Sequence, residues 1–126
     1  MKGLLLDTHV HFWCLHDPAQ LSMEVRRRIE DPASAVFVSA VSAWELEIKQ
    51  ALGKVRFPPD LDAQLHSRSF SELPVHLRHV AALRDLPPLH RDPFDRMLIA
   101  QSIEDDLVLV TRDEKILAYP VQSLRA

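Results

Sequence analysis

The chain has 126 residues, 47% of them hydrophobic and 26% charged, with a formal net charge of −3; this suits one globular domain and is too short for an eight-fold βα barrel of roughly 250 residues. The acidic balance excludes a domain that holds nucleic acid by bulk charge alone, two glycines exclude a Walker loop or a dinucleotide fingerprint, and one cysteine excludes an intrachain disulfide. The apolar start is too short for a signal peptide and no later run has the length of a membrane span, so the expectation is a soluble, cytoplasmic protein.

Gly3-Leu4-Leu5-Leu6 is a buried-strand run that ends on Asp7, and Ala35-Val36-Phe37-Val38 is a second such run, with helical material between them. Within that material Ser22 to Glu30 carries Met23, Val25 and Ile29 among charges, an amphipathic helix whose arginines at 26 to 28 read as a solvated face. Ser42 to Leu52 is a clearer helix. Val41, Trp44, Ile48 and Leu52 recur at spacings of three and four as an inward stripe, and Gly53 follows where a helix end favours glycine. After the break at Phe57-Pro58-Pro59, Asp60 caps a short helix to about Ser67, and Phe70 to Val75 forms an edge strand interrupted by Pro74. His76 to Leu86 reads as a helix with Leu77, Val80, Ala81 and Leu83 inward, closed by Pro87-Pro88. Asp92-Pro93 gives the next helix an N-cap and a first-turn proline, with Phe94, Met97, Leu98 and Ile103 as its buried stripe. Leu107 to Thr111 is a strand running into Arg112 and Asp113, and a last short strand is expected near Tyr119 to Gln122. Strands alternating with helices imply βα units: one α/β domain over 1–126, with a mostly parallel sheet of four or five strands and helices on both faces.

Four acids stand out against this frame. Asp7 and Asp113 end strands, at the edge of an open α/β sheet where ligands bind. Glu45 borders the Trp44 stripe and Asp95 borders the Phe94/Leu98 face, so both can turn toward that rim. Each acid also has a local explanation: Asp7 and Asp113 as helix caps, Glu45 paired with Lys49, Asp95 with Arg91 or in the first helical turn. For Asp92, with Pro93 behind it, capping is the stronger reading. Taken jointly, carboxylates that meet at one rim repel unless protons or cations neutralise them, and an oxygen-only donor set suits Mg²⁺ or Mn²⁺ rather than zinc. One or two such ions clamp a phosphodiester and activate water, with no serine or cysteine nucleophile required. Arg91, Arg96 and Arg112 are the candidate phosphate contacts.

Four blocks carry a family resemblance: Leu4-Leu5-Leu6-Asp7-Thr8-His9; Ser39-Ala40-Val41-Ser42-Ala43-Trp44-Glu45 with Ile48-Lys49 and Gly53-Lys54; His90-Arg91-Asp92-Pro93-Phe94-Asp95-Arg96-Met97-Leu98-Ile99-Ala100-Gln101; and Val110-Thr111-Arg112-Asp113. In order and spacing, across nearly the whole chain, they resemble the PIN-domain ribonucleases, in particular the VapC-type toxins of bacterial and archaeal toxin–antitoxin pairs. The resemblance implies a PIN-like α/β/α sandwich and places the family's acidic quartet, its metal-binding and catalytic residues, on Asp7, Glu45, Asp95 and Asp113. It makes Asp92 an extra acid beside the quartet, and Thr8 and Thr111 hydroxyls next to the metal site. It further implies Mg²⁺- or Mn²⁺-dependent endonucleolytic cleavage of RNA, restraint by a cognate antitoxin whose tail occupies the cleft, and a homodimer. His11 departs from the pattern, since relatives usually carry an aliphatic residue there; it is expected either to touch substrate or to sit at a helix start.

Two other classes compete. His9-x-His11 after the first strand also resembles the opening of metal-dependent amidohydrolases, but their barrel needs about twice this length. A non-catalytic α/β module that only binds a partner is the other, since folds do not fix function. A degenerate site would normally lack one of the four acids, and none is missing.

Overall fold

The computed structural model describes residues 2–126. In chain order it runs β1 (Leu4–Leu6), α1 (Thr8–His16), a 3₁₀ turn (Pro18–Gln20), α2 (Met23–Glu30), β2 (Val36–Ser39), α3 (Ala40–Ala51), α4 (Leu61–Ser67), β3 (Ser71–Leu73), α5 (Leu77–Ala82) with a 3₁₀ turn (Leu83–Asp85), α6 (Pro93–Glu104), β4 (Val108–Thr111), α7 (Glu114–Leu117) and β5 (Ser123–Arg125). The five strands form one sheet in the order β3-β2-β1-β4-β5, and every neighbouring pair is parallel. The expected α/β/α sandwich is therefore present, with a fully parallel sheet. From β1 the chain builds outward to β2 and β3 on one side, then crosses to β4 and β5 on the other. The strand order reverses between β1 and β4, and open parallel sheets bind ligands in the crevice at the carboxyl ends of strands at such a reversal.

Alternating side chains explain the two layers of core. Leu4, Leu6, Val36, Val38 and Val110 point to one face and pack with Val10 and Cys14 of α1, Val25 of α2 and Leu65 of α4. Leu5 and Leu109 point to the other face, with Val41 of α3, Leu98 and Ile99 of α6 and Ile116 of α7. Because both faces are covered, the central strands read as continuous apolar runs.

The helix ends follow local rules. Ser22 caps α2, Ser39 caps α3, Asp60 caps α4 and Asp92 caps α6, each through a side-chain oxygen that accepts a backbone N–H. Gly53 takes a φ of +73° just past α3, where the Lys54 N–H returns to the Lys49 carbonyl. β3 pairs with β2 alone and stops before Pro74, as expected of an edge strand.

Four expectations need correction. Of the stripe on α3 only Val41 is buried; Trp44, 62% exposed, Ile48 and Leu52, 65% exposed, face outward, and the buried face is Val41, Ser42, Glu45 and Leu46. On α5, Leu77, Val80 and Ala81 are exposed and His79 is the residue that points inward. The His79 ring fixes that phase, accepting the His76 N–H on Nδ1 and meeting the Asp105 carboxylate at 3.2 Å through Nε2. Ile103 is likewise exposed on α6, and the last strand lies at Ser123–Arg125 rather than near Tyr119 to Gln122. Tyr119 is buried instead because its hydroxyl holds the loop before α6. Among the described residues no helix is long and apolar enough to cross a membrane.

Candidate metal centre

Asp7 leaves the end of β1 and is buried, with both carboxylate oxygens engaged. Oδ1 caps α1 by accepting the Val10 N–H at 2.8 Å, and Oδ2 accepts the Thr111 hydroxyl at 2.5 Å. Thr111 ends β4, and its Oγ1 in turn accepts the Asp113 N–H at 3.1 Å. One threonine thus ties the two strand-end acids across the β1/β4 boundary. Burial is the main cause that pushes the Asp7 carboxyl above its ordinary range; the Thr111 and Val10 bonds and the nearby His9 charge oppose it, and the Asp113 charge adds to it.

Glu45 arrives from the other side. Ser39, the last residue of β2, caps α3 and donates its hydroxyl to Gln101 Oε1 at 2.6 Å, which sets α3 against α6. The buried face of α3 then brings Ser42 and Glu45 to the first turn of α1. There the Thr8 hydroxyl donates to Glu45 Oε1 at 2.7 Å and lies 3.2 Å from Ser42 Oγ, and Lys49 Nζ is 3.0 Å from Glu45 Oε2.

Asp95 sits in the first turn of α6, whose N-cap, Asp92, accepts the Phe94 and Asp95 N–H groups at 2.8 and 3.2 Å through one oxygen. The Asp95 carboxyl is pushed up to about 6, first by burial, then by the Asp92 charge, with Glu45 adding to it and His90 opposing it. His90, which the sequence reading left out of the site, lies 2.7 Å from Asp95 Oδ2 and 3.7 Å from Asp113 Oδ2 through Nε2. One ligand atom from each of His90, Asp95 and Asp113 falls within 4.8 Å of the others. Asp113 caps α7 through Oδ1, leaving Oδ2 for this cluster.

The rim therefore brings His90, Asp95 and Asp113 to ligand distance of one another, while Asp7 is linked to Asp113 through Thr111 and by charge, and Glu45, held by Thr8, and Asp92 act on Asp95 by charge. Lys49 is the one ammonium that pairs with this group among the described residues. Carboxylates gathered and desolvated this way, with free oxygens on Asp95 and Asp113 and His90 able to add a nitrogen, fit a divalent cation.

The three arginines differ. Arg96 donates to the Pro87 carbonyl and the Tyr119 hydroxyl, both at 3.1 Å, and so braces the loop that carries His90. Arg112 donates to the carbonyls of Ala126 and Gln20 and lies over Trp13. Arg91 is exposed and makes no hydrogen bond or ion pair among the described residues. His11 is fully buried and neither ring nitrogen has a partner among the described residues, so it does not reach substrate. With His9 exposed and His11 buried, the pair does not share a metal, and the open sheet is no barrel; the amidohydrolase reading falls. His90 gave no sequence signal of its own because it lies in a loop after two prolines, and only the fold of that loop brings it to Asp95.

A sequence profile of the PIN domain matches residues 4–121. Ribonuclease VapC22 of Mycobacterium tuberculosis is 30% identical over 124 residues, covering 94% of this chain and 93% of its own length. Among solved structures the chain is similar to the DNA-bound VapBC of Salmonella typhimurium, with a TM-score of 0.70, 16% identity and 98% of each chain covered. It is also similar to VapBC2 of Rickettsia felis bound to a promoter DNA fragment, with a TM-score of 0.73, 16% identity and 96% of each chain covered. These structural likenesses bear on the fold; the family follows from the profile and the VapC22 match together. The chain belongs to the PIN-domain family and is related to the VapC-type toxins of toxin–antitoxin systems.

Proposed function

We propose that this protein is a divalent-metal-dependent endoribonuclease, the toxin of a toxin–antitoxin pair, that hydrolyses RNA phosphodiester bonds. The reading is supported by the cluster of His90, Asp95 and Asp113 near the β1/β4 reversal, with the Asp113 charge acting on Asp7, the Glu45 charge on Asp95, and burial raising the carboxyls of Asp7 and Asp95. Asp7, Glu45, Asp95 and Asp113 would hold Mg²⁺ or Mn²⁺. A bound ion of this kind polarises a phosphoryl oxygen and lowers the pKa of its water. The protein's own work is positioning. Thr111 and Val10 hold Asp7, Thr8 and Lys49 hold Glu45, and His90 with the Asp92 cap orients Asp95. Such supporting contacts fix how carboxylates face a cation. Arg91, exposed and unengaged, is the phosphate contact we assign; Arg96 and Arg112 already have carbonyl partners.

Two partners belong to the same reading. Relatives crystallised as VapBC are toxin–antitoxin complexes, and we infer a cognate antitoxin here. The outward apolar face supports the homodimer that the resemblance implies. Trp44 of α3 meets Phe94 of α6 edge-on at 5.0 Å, beside a groove of about 520 Å³ lined by Val41, Val75, Leu83, Pro93 and Met97. Apolar patches of this kind on a small domain mark an interface. The deciding experiment is RNA cleavage with Mg²⁺ or Mn²⁺ by the parent, Asp7→Asn and Asp95→Asn. Cleavage by the parent alone, abolished by EDTA, is expected; equal cleavage by all three, or activity that survives EDTA, contradicts the nuclease. A folded chain that binds antitoxin and never cuts RNA returns the non-catalytic module.

A further inference from the structure

Beside the acid cluster stands a pile of flat groups that the reading above does not use. His9 and Trp13 lie one turn apart on α1, their rings stacked with centroids 6.0 Å apart and planes 28° from parallel. Against Trp13 lies the guanidinium of Arg112, 4.5 Å from the ring centroid. Arg112 is itself fixed by the carbonyls of Ala126, at 3.1 Å, and Gln20. Trp13 is half-buried and packs on the core that contains Leu4, Leu6 and Val110. The pile is therefore anchored at its Arg112 end and exposed at its His9 end. Both ends adjoin the candidate centre: His9 lies two residues past Asp7 and acts on its carboxylate by charge, and Arg112 stands in sequence between Thr111 and Asp113.

We propose that His9, backed by Trp13 and Arg112, is a stacking platform for one unpaired nucleobase of the RNA, at a nucleotide flanking the phosphate that is cut. The identity of the strand rests on the nuclease reading; the platform is a separate claim about how it is held. Single-stranded RNA is recognised by laying splayed bases on His, Phe, Tyr or Trp rings and on arginine planes. A chain of net charge −3 gains little from bulk attraction to phosphate, so contact with a base adds affinity that bulk charge does not supply. The geometry also gives Arg112 a role: it holds the tryptophan that holds the histidine.

The test starts by mapping the parent's cleavage site in an RNA oligonucleotide with Mn²⁺. The flanking nucleotide is then replaced by an abasic ribose, and parent, His9→Ala and His9→Phe are compared on both RNAs. On intact RNA, His9→Ala is expected to raise KM roughly 5- to 150-fold, the range of one base stack, with kcat within about threefold, and His9→Phe to restore KM. The abasic RNA should impose the same penalty on the parent and no further penalty on His9→Ala. An unchanged KM in His9→Ala, a loss confined to kcat, or an abasic penalty equal in both proteins overturns the platform while leaving the nuclease in place. If the parent cuts no RNA, the nuclease reading fails, and the same comparison is made as binding in EDTA with end-labelled RNAs abasic at each position in turn. The platform stands only if some position carries a penalty that needs His9.

Discussion

At the residue scale, a local role for an acid leaves room for a second one, because a carboxylate has two oxygens. Asp113 caps α7 with one and offers the other to the His90 cluster; Glu45 gives one to Thr8 and one to Lys49. Capping fixes the side chain's torsion before any ligand arrives. Such an arrangement costs stability where it serves function. Asp95 is the clearest case, since burial and the Asp92 charge hold its carboxyl at about 6. Asp95→Asn removes that charge while keeping the shape. It is expected to abolish RNA cleavage yet raise the urea midpoint of the metal-free protein at pH 7.5; an unchanged or lowered midpoint would show that the charge is not strained. Arg91→Ala is expected to weaken RNA binding and flatten its salt dependence without moving Tm, because nothing in the fold leans on that side chain. Asp7 and Asp113 were legible in the sequence because they end apolar runs, Glu45 and Asp95 because they border helix stripes, and the capping Asp92 because Pro93 follows it. His90 was not, since no period or cap marks a residue whose role depends on loop shape.

At the element scale, helix existence was legible and helix orientation was not. An apolar stripe at helical spacing reads as the face turned to the domain's own core. On α3 that rule inverts: the face carrying Ser42 and Glu45 goes inward because Thr8 and the rim hold it, and Trp44, Ile48 and Leu52 are left outside. Trp44→Glu separates the two orientations. With the stripe outside, this variant is expected to keep its fold and Tm within a few degrees and to sediment as a monomer where the parent sediments as a dimer. A core tryptophan would unfold the domain instead, by about 3–5 kcal/mol. The loop before α6 makes a second case. The Tyr119 hydroxyl accepts the His90 N–H at 2.9 Å and Arg96 at 3.1 Å, so one phenol sets the position of the histidine that meets Asp95. Tyr119→Phe keeps the packing and removes both bonds. A destabilisation of about 1–2 kcal/mol is expected, together with weaker Mn²⁺ binding by titration; a stability loss with Mn²⁺ affinity untouched would separate the loop from the centre.

At the scale of the whole molecule, two buried groups on different sides of the sheet make opposite demands on pH. Burial, and after it the charge of Arg68, hold the fully buried His11 ring down at about 4, against 6.5 for a free histidine. Its unfolded form takes a proton first, so the stability present above pH 6.5 is lost as pH falls toward 4, by about 3 kcal/mol at ~1.36 kcal/mol per unit. Asp95 runs the other way. Its folded carboxyl, at about 6, keeps a proton that the unfolded chain has released, so its contribution is present below about pH 4 and lost as pH rises through 6. Asp7 has the same sign. The His11 slope thus opposes those of Asp95 and Asp7 in the metal-free parent between pH 4.5 and 6, and each variant should tip the balance its own way. Relative to the parent, Asp95→Asn is expected to gain urea midpoint as pH rises through this window, whereas His11→Leu should lose it, starting from a higher value at low pH because an unpartnered buried ring has gone. Saturating Mn²⁺ binds carboxylates in their ionised form, so it should give the parent the rising profile of Asp95→Asn. If both variants keep the parent's slope, with and without the ion, neither His11 nor Asp95 is the group that links folding to protons.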